Sequence, residues 1–226
     1  HHPYALGDYF EITLQGSSFM ILELDAALSP AIIYVPEGTY IYRIPFDIQR
    51  ESPYPSGAFL SSHHYAKAKI AESEEVNRYR NLAENSHDQH DLSVAAFPHA
   101  TATAETRGES VFFARNAIDG IIANASHGNY PYQSWGIDQQ NDAEIKIDFG
   151  REVTIDKIAI ILRADYPHDS YWTDANVEFS DESNEKIKLQ KIADRQMFKF
   201  ESRTVTWIKL NKLIKDTDMS TFPALT

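Results

Sequence analysis

Along the first fifty residues apolar and polar positions alternate with a period of two, and turn residues interrupt the alternation. Residues 8–14 (DYFEITL) and 19–24 (FMILEL) flank Gln15-Gly16-Ser17-Ser18; residues 31–35 (AIIYV) and 39–44 (TYIYRI) flank Pro36-Glu37-Gly38. Successive side chains of a strand point to opposite faces, so the pattern predicts antiparallel β-structure with one buried face. The second pair is predicted as a hairpin across a three-residue loop containing glycine, with Tyr34, Tyr40 and Tyr42 packing across strands. Residues 51–63 hold two prolines, a glycine and four serines and read as a loop. The period then changes: over 73–84 (SEEVNRYRNLAE) Val76, Tyr79 and Ala83 fall at spacings of three and four behind Ser73, Glu74 and Glu75, which predicts a helix N-capped by Ser73.

From about residue 91 the period is two again, in short segments broken by polar turns: 144–150, 156–163, 175–180, 185–192, 196–201 and 205–214. In 144–150, Ile145, Ile147 and Phe149 alternate with Lys146 and Asp148, giving one wet and one buried face. The fold class predicted is all-β, an antiparallel β-sandwich (91–226) preceded by a small N-terminal β unit (1–50) and a linker with one connecting helix (51–90).

Composition narrows the chemistry. The 226 residues carry a net charge of −12, spread along the chain, and a field of that sign repels phosphate backbones, so no nucleic-acid partner is expected. The absence of cysteine removes disulfides, thiol nucleophiles and thiolate metal sites. The longest apolar runs are a handful of residues, far short of the ~20 needed for a membrane-spanning helix. His1–His2 read as the end of a tag or a trimmed terminus, so no compartment follows from the lack of a signal peptide. Oligomeric state is not encoded in any recognisable pattern.

One stretch carries a resemblance. NAIDG at 116–120 is followed by QSW ending at Trp135 and then by AEIKIDFGREVTIDKIAI (143–160), with HATATAETRGESVFFAR (99–115) upstream. This order resembles the discoidin, or coagulation factor 5/8 type C, domains and the family 32 carbohydrate-binding modules, specifically over about 98–162 and more loosely to residue 226. The resemblance implies a jelly-roll-like, galactose-binding-like sandwich that takes ligands at loops on one end, and it allows an extracellular or cell-surface setting. It also implies that Asp119 holds a structural Ca²⁺, with Asn124 and Ser126 as further donors; the alternative is an Asp119 that accepts N–H bonds from its own turn. QSW departs from the family's T-x-W, and the family's last strand, of the E-x-x-x-x-G kind, has no counterpart, so that strand is expected to be missing or placed elsewhere.

Sugar recognition calls for an aromatic face against the ring's apolar side and polar groups around it for the hydroxyls. Two connecting segments carry that mixture: SHGNYPYQSW (126–135) and RADYPHDSYW (163–172). The expected ligand-binding residues are Arg163, His168, Trp172, Tyr130, Tyr132, Asp165 and His127, with Trp135 assigned to the core. A glycan or other polyol is the expected partner, and a protein-interaction module is the alternative. An enzyme ranks third. NSHDQHD (His87, Asp88, His90, Asp91) reads as solvated linker, and Arg163, Asp165 and His168 lack any accompanying nucleophile or phosphate-binding motif. Asp165 and Asp169 share one short loop, whereas glycoside cleavage needs two carboxylates across a cleft.

Overall fold

The computed structural model describes residues 1–90, 95–123, 128, 130–164 and 170–226. Its elements are β1 (Tyr9–Leu14), β2 (Ser18–Glu23), β3 (Ala31–Val35), β4 (Gly38–Arg43), the one-turn helix α1 (Ile48–Glu51), β5 (Lys67–Ile70), the short helix α2 (Ser73–Asn77) and β6 (His99–Ala102). Three 3-10 turns follow, and then β7 (Trp135–Gly136), β8 (Ile145–Ile160), β9 (Leu162–Arg163), β10 (Trp172–Phe179), β11 (Asn184–Lys188), β12 (Gln196–Lys215) and β13 (Ala224–Leu225).

The sandwich consists of a five-stranded sheet, order β11-β10-β12-β8-β6, and a three-stranded sheet, order β7-β13-β9, with every pairing antiparallel. The alternation read in 144–150 is realised: Ile145, Ile147 and Phe149 are buried, while Lys146 and Asp148 are half-buried. Their neighbours in one apolar cluster include Trp135, Trp172, Val177 and Phe179. Segments expected as separate strands merge into the long β8 and β12, because bulges carry the pairing through instead of ending it. One such bulge contains Gly150, at φ +64, and a Cβ placed there would lie 2.3 Å from the Phe97 ring. The bare backbone is what lets Phe97 pack, and Phe97 in turn pairs its main chain with Tyr34 of the N-terminal strands. The residues at 224–225 form β13 and hydrogen-bond to both β7 and β9.

The first strands exist where the alternation places them, but their pairing differs from the expectation. β3 and β4 do not form a hairpin: β4 pairs with β1, and β2 pairs with β3 and β5. The chain changes sheet at Pro36-Glu37, so two small sheets each bury a face, with Leu22, Ile33, Val35, Tyr40 and Tyr42 between them at 2% exposure or less. A single four-stranded sheet would have left that face wet. The cluster reaches past residue 50 to Tyr54, Ala58, Phe59 and Ala96. Strand β5 was not foreseen; its sequence KAKI is mostly exposed, the composition of an edge strand whose lysines discourage further pairing.

The helix predicted over 73–84 is a correction in length. It is capped by Glu72 rather than Ser73, through a reciprocal capping box with Glu75, and stops at Asn77 because Arg78 is extended (φ −60, ψ 145). An extended path sends the Tyr79 hydroxyl to Asp156 and lets Leu82 and Ala83 reach the sandwich core.

The first half of NSHDQHD is the second correction, since residues 85–88 of the expected solvated linker are covered while His90 is exposed as expected. Asn85, Ser86, His87 and Asp88 are each 5% exposed or less. Asp88 accepts from the Ala100 N–H (2.9 Å) and contacts His99 Nδ1 (2.7 Å), and its carbonyl accepts from Arg115 Nε (2.7 Å). His87 Nε2 accepts from the Leu24 N–H (3.0 Å), which puts the proton on Nδ1, facing Ser86 Oγ (2.9 Å). Burial and Arg115 hold this imidazole down to about 3. Polar groups removed from water on this scale persist because each finds a partner, and here the partners come from both apolar clusters.

Candidate functional site

Strand β13 organises the candidate end of the sandwich. Ala224 lies opposite both Gly136 and Arg163, and Leu225 opposite both Trp135 and Leu162. The segment entering β7 and the segment leaving β9 therefore lie on the two flanks of β13. The Arg163 side chain reaches from one to the other. Its guanidinium donates to the Tyr132 carbonyl and lies 5.9 Å from the centre of the Tyr132 ring.

Two expected ligand contacts change role. Trp172 is 1% exposed, with its ring centre 5.9 Å from that of Trp135, and the two indoles form the floor of the sandwich core. A ring covered on that scale offers no stacking face to a sugar. Arg163 is 0% exposed, so its donors serve the protein, and it acts as a brace between segments. The assignment of Trp135 to packing agrees with its full burial and with its Nε1–H bond to the Ala104 carbonyl.

Tyr130 and Tyr132 remain half-buried on the segment before β7. The Tyr130 hydroxyl is pushed up by burial and by the nearby Asp119 carboxylate. His127, Asp165 and His168, together with Asn124, Ser126, Asn129, Asp169 and Asp91, lie outside the described residues. Cavities of about 870 and 380 Å³ occur elsewhere; neither is lined by Tyr130, Tyr132, Arg163 or Trp172.

Asp119 is buried, with Oδ1 accepting from the Ile121 N–H (2.7 Å) and Oδ2 from Gln133 Nε2 (3.0 Å). Burial raises its carboxyl from 3.8 to about 6 against the pull of Arg115 and of these two donors, and Glu84 adds to the rise. The described donors close a turn. Among the described residues no group of three His, Asp or Glu side chains is placed to hold a metal ion. Among the described residues no helix is long and apolar enough to cross a membrane.

No protein-family model and no curated protein matches the chain. Among solved structures it is similar to chitosan-binding module 1 of a chitosanase/glucanase from Paenibacillus sp. IK-5, with 16% identity over 65% of this chain and 95% of that one and a TM-score of 0.44. It is also similar to the family 32 carbohydrate-binding module of Clostridium perfringens NanJ in complex with galactose (16% identity, 56% and 87% coverage, TM-score 0.42). A mutant of the lectin-binding domain of lectinolysin, complexed with Lewis b, aligns at 11% identity over 66% of this chain and 96% of that one, with a TM-score of 0.46.

Proposed function

We propose that the chain is a non-catalytic carbohydrate-binding protein that takes a saccharide on the surface formed by Tyr130 and Tyr132, with His127, Asp165 and His168 supplying hydrogen bonds to the hydroxyls. The observation that carries this reading is the buried Arg163 brace. A guanidinium fixed to the Tyr132 carbonyl and near its ring holds that half-buried ring in place, so little conformational entropy is lost when a ligand stacks on it. Aromatic rings offered this way are suited to the apolar face of a sugar ring.

An open surface with few contacts binds weakly, in the ~0.1–1 mM range, or roughly 4–5.5 kcal/mol. The test is calorimetric titration of the best ligand from a glycan array against wild type, Tyr130→Ala, Tyr132→Ala and the exposed control Lys188→Ala. Loss of binding in a tyrosine variant alone supports the reading. Equal affinities in all four proteins, or no bound glycan, reject it in favour of a protein-interaction module.

A further inference from the structure

Beyond α2 the chain runs as an extended strap beside the second half of β8, and the space between them is the 870 Å³ groove, within the ~300–1,000 Å³ usual for small-molecule sites. Its floor is apolar, with Leu82, Ile155 and Ile158 among the residues lining it. Its charges are not those of the molecule. Arg78, Arg80, Arg151, Lys157 and Arg195 line it against Glu84, Asp119 and Asp156, on a chain whose net charge is −12.

None of these five cations forms an ion pair with a carboxylate among the described residues. Asp156 is occupied by the Tyr79 hydroxyl (2.6 Å), and Asp119 by Ile121 and Gln133. Arg80 Nε is buried without a hydrogen-bond partner, and Nη1 has only a long contact to the Asn81 carbonyl (3.3 Å). Arg151 lies over the Phe19 ring (4.7 Å) and donates to the Glu152 carbonyl. Burial lowers both guanidinium groups, and Arg80 is lowered further by the like charges of Arg151 and Arg78, against a smaller opposing pull from Glu84. Like charges gathered in a half-buried groove repel one another until an anion joins them, and planar guanidinium groups match carboxylates and tetrahedral oxyanions. Beside them the Tyr79 ring is 71% exposed, anchored at its hydroxyl by Asp156 and backed by Lys157 Nζ at 4.5 Å.

We propose that this groove is a second ligand site, selective for an acidic saccharide unit, a uronate or sulfated sugar whose anionic group meets Arg80 and Arg151 while its ring lies on Tyr79. The saccharide part rests on the carbohydrate-binding reading above; the anion part rests on the groove alone.

The test titrates four probes into the full chain: trigalacturonate, a neutral galacto-trisaccharide, sodium sulfate and glutarate. Wild type should bind trigalacturonate at least about tenfold more tightly than the other three, and added salt should weaken it. The double variant Arg80→Gln/Arg151→Gln, and separately Tyr79→Ala at an exposed position that cannot disturb the core, should each lose about tenfold for trigalacturonate. Urea midpoints would confirm that both variants fold. Unchanged trigalacturonate affinity in both overturns the proposal. Sulfate or glutarate binding as tightly as trigalacturonate overturns its saccharide part. The neutral probe against Tyr132→Ala reads the other surface: loss there with no change in the arginine variants sinks the groove and leaves the tyrosine surface standing, and the reverse pattern does the opposite.

Discussion

Replacing Asp119 by asparagine separates a turn-closing carboxylate from a metal ligand. In the folded chain this group titrates near 6 instead of 3.8. A carboxyl whose folded pKa is raised holds its proton more tightly in the folded chain than in the unfolded one, so stability falls as pH rises from about 4 to 6 and is level above. About two units at roughly 1.36 kcal/mol each come to about 3 kcal/mol carried as a cost at pH 7. Asparagine removes that cost and keeps an acceptor for the Ile121 N–H. Its amide can also donate to Gln133 Oε1, a buried oxygen with no partner among the described residues, once the Gln133 amide turns over. Relative to wild type, Asp119→Asn should therefore gain about 3 kcal/mol between pH 4 and pH 7, some 6–12 °C in Tm for a chain of this size. Asp119→Ala, which leaves two buried donors without an acceptor, should be about 1–3 kcal/mol less stable than the asparagine variant at every pH. Urea unfolding at pH 4, 5, 6 and 7, with and without chelator, measures all of this. An asparagine variant less stable than wild type at pH 7, together with a wild-type midpoint lowered by chelator, would refute the turn-closing role and identify the carboxylate as a cation ligand.

His87 acts in the opposite sense. Its folded pKa of about 3 lies below the ordinary 6.5, so the unfolded chain takes up a proton that the folded one refuses, and stability drops as pH falls below 6.5. At pH 5 this costs about 2 kcal/mol, and His87→Gln should lose that slope in urea unfolding; equal slopes would contradict the buried neutral imidazole. Gly150→Ala forces a side chain into positive φ and against Phe97, so a loss of about 2–4 kcal/mol is expected by thermal melting, and a wild-type Tm would show that Phe97 is not seated there. Arg163→Ala should lower stability by about 2–4 kcal/mol and glycan affinity together, because it removes a buried brace, whereas Tyr132→Ala should lower affinity alone; a fully stable Arg163→Ala would remove the brace from the account.

Local patterning located most of the strands, because a half-buried strand has to alternate, and Ile145, Ile147 and Phe149 do so. Pairing partners were less legible. Whether β4 joins β3 or β1 depends on which faces need covering, and the alternation of Tyr40 and Tyr42 is the same in both arrangements. His87 and Asp88 read as linker because their covering groups, Leu24, His99 and Arg115, are distant in sequence, and composition alone cannot show a polar group that has found its partners. The same limit explains Trp172 and Arg163, whose residue types suit a sugar site equally well inside a core or on its rim. The groove left a faint trace in the alternation Arg78-Tyr79-Arg80, masked by its helical spacing with Val76 and Ala83. The approach of Arg151 from β8 could not have been read locally.

The central claim, that a saccharide stacks on the tyrosine surface, is tested most directly by mapping amide shifts on the ¹⁵N-labelled full chain as the best neutral glycan from an array is added. The account predicts saturable shifts concentrated at residues 128–134 and around Arg163, with the Tyr130 and Tyr132 ring protons moving alongside them. Shifts confined to the groove beside β8, shifts confined to the N-terminal strands, or no shifts at millimolar glycan would contradict it.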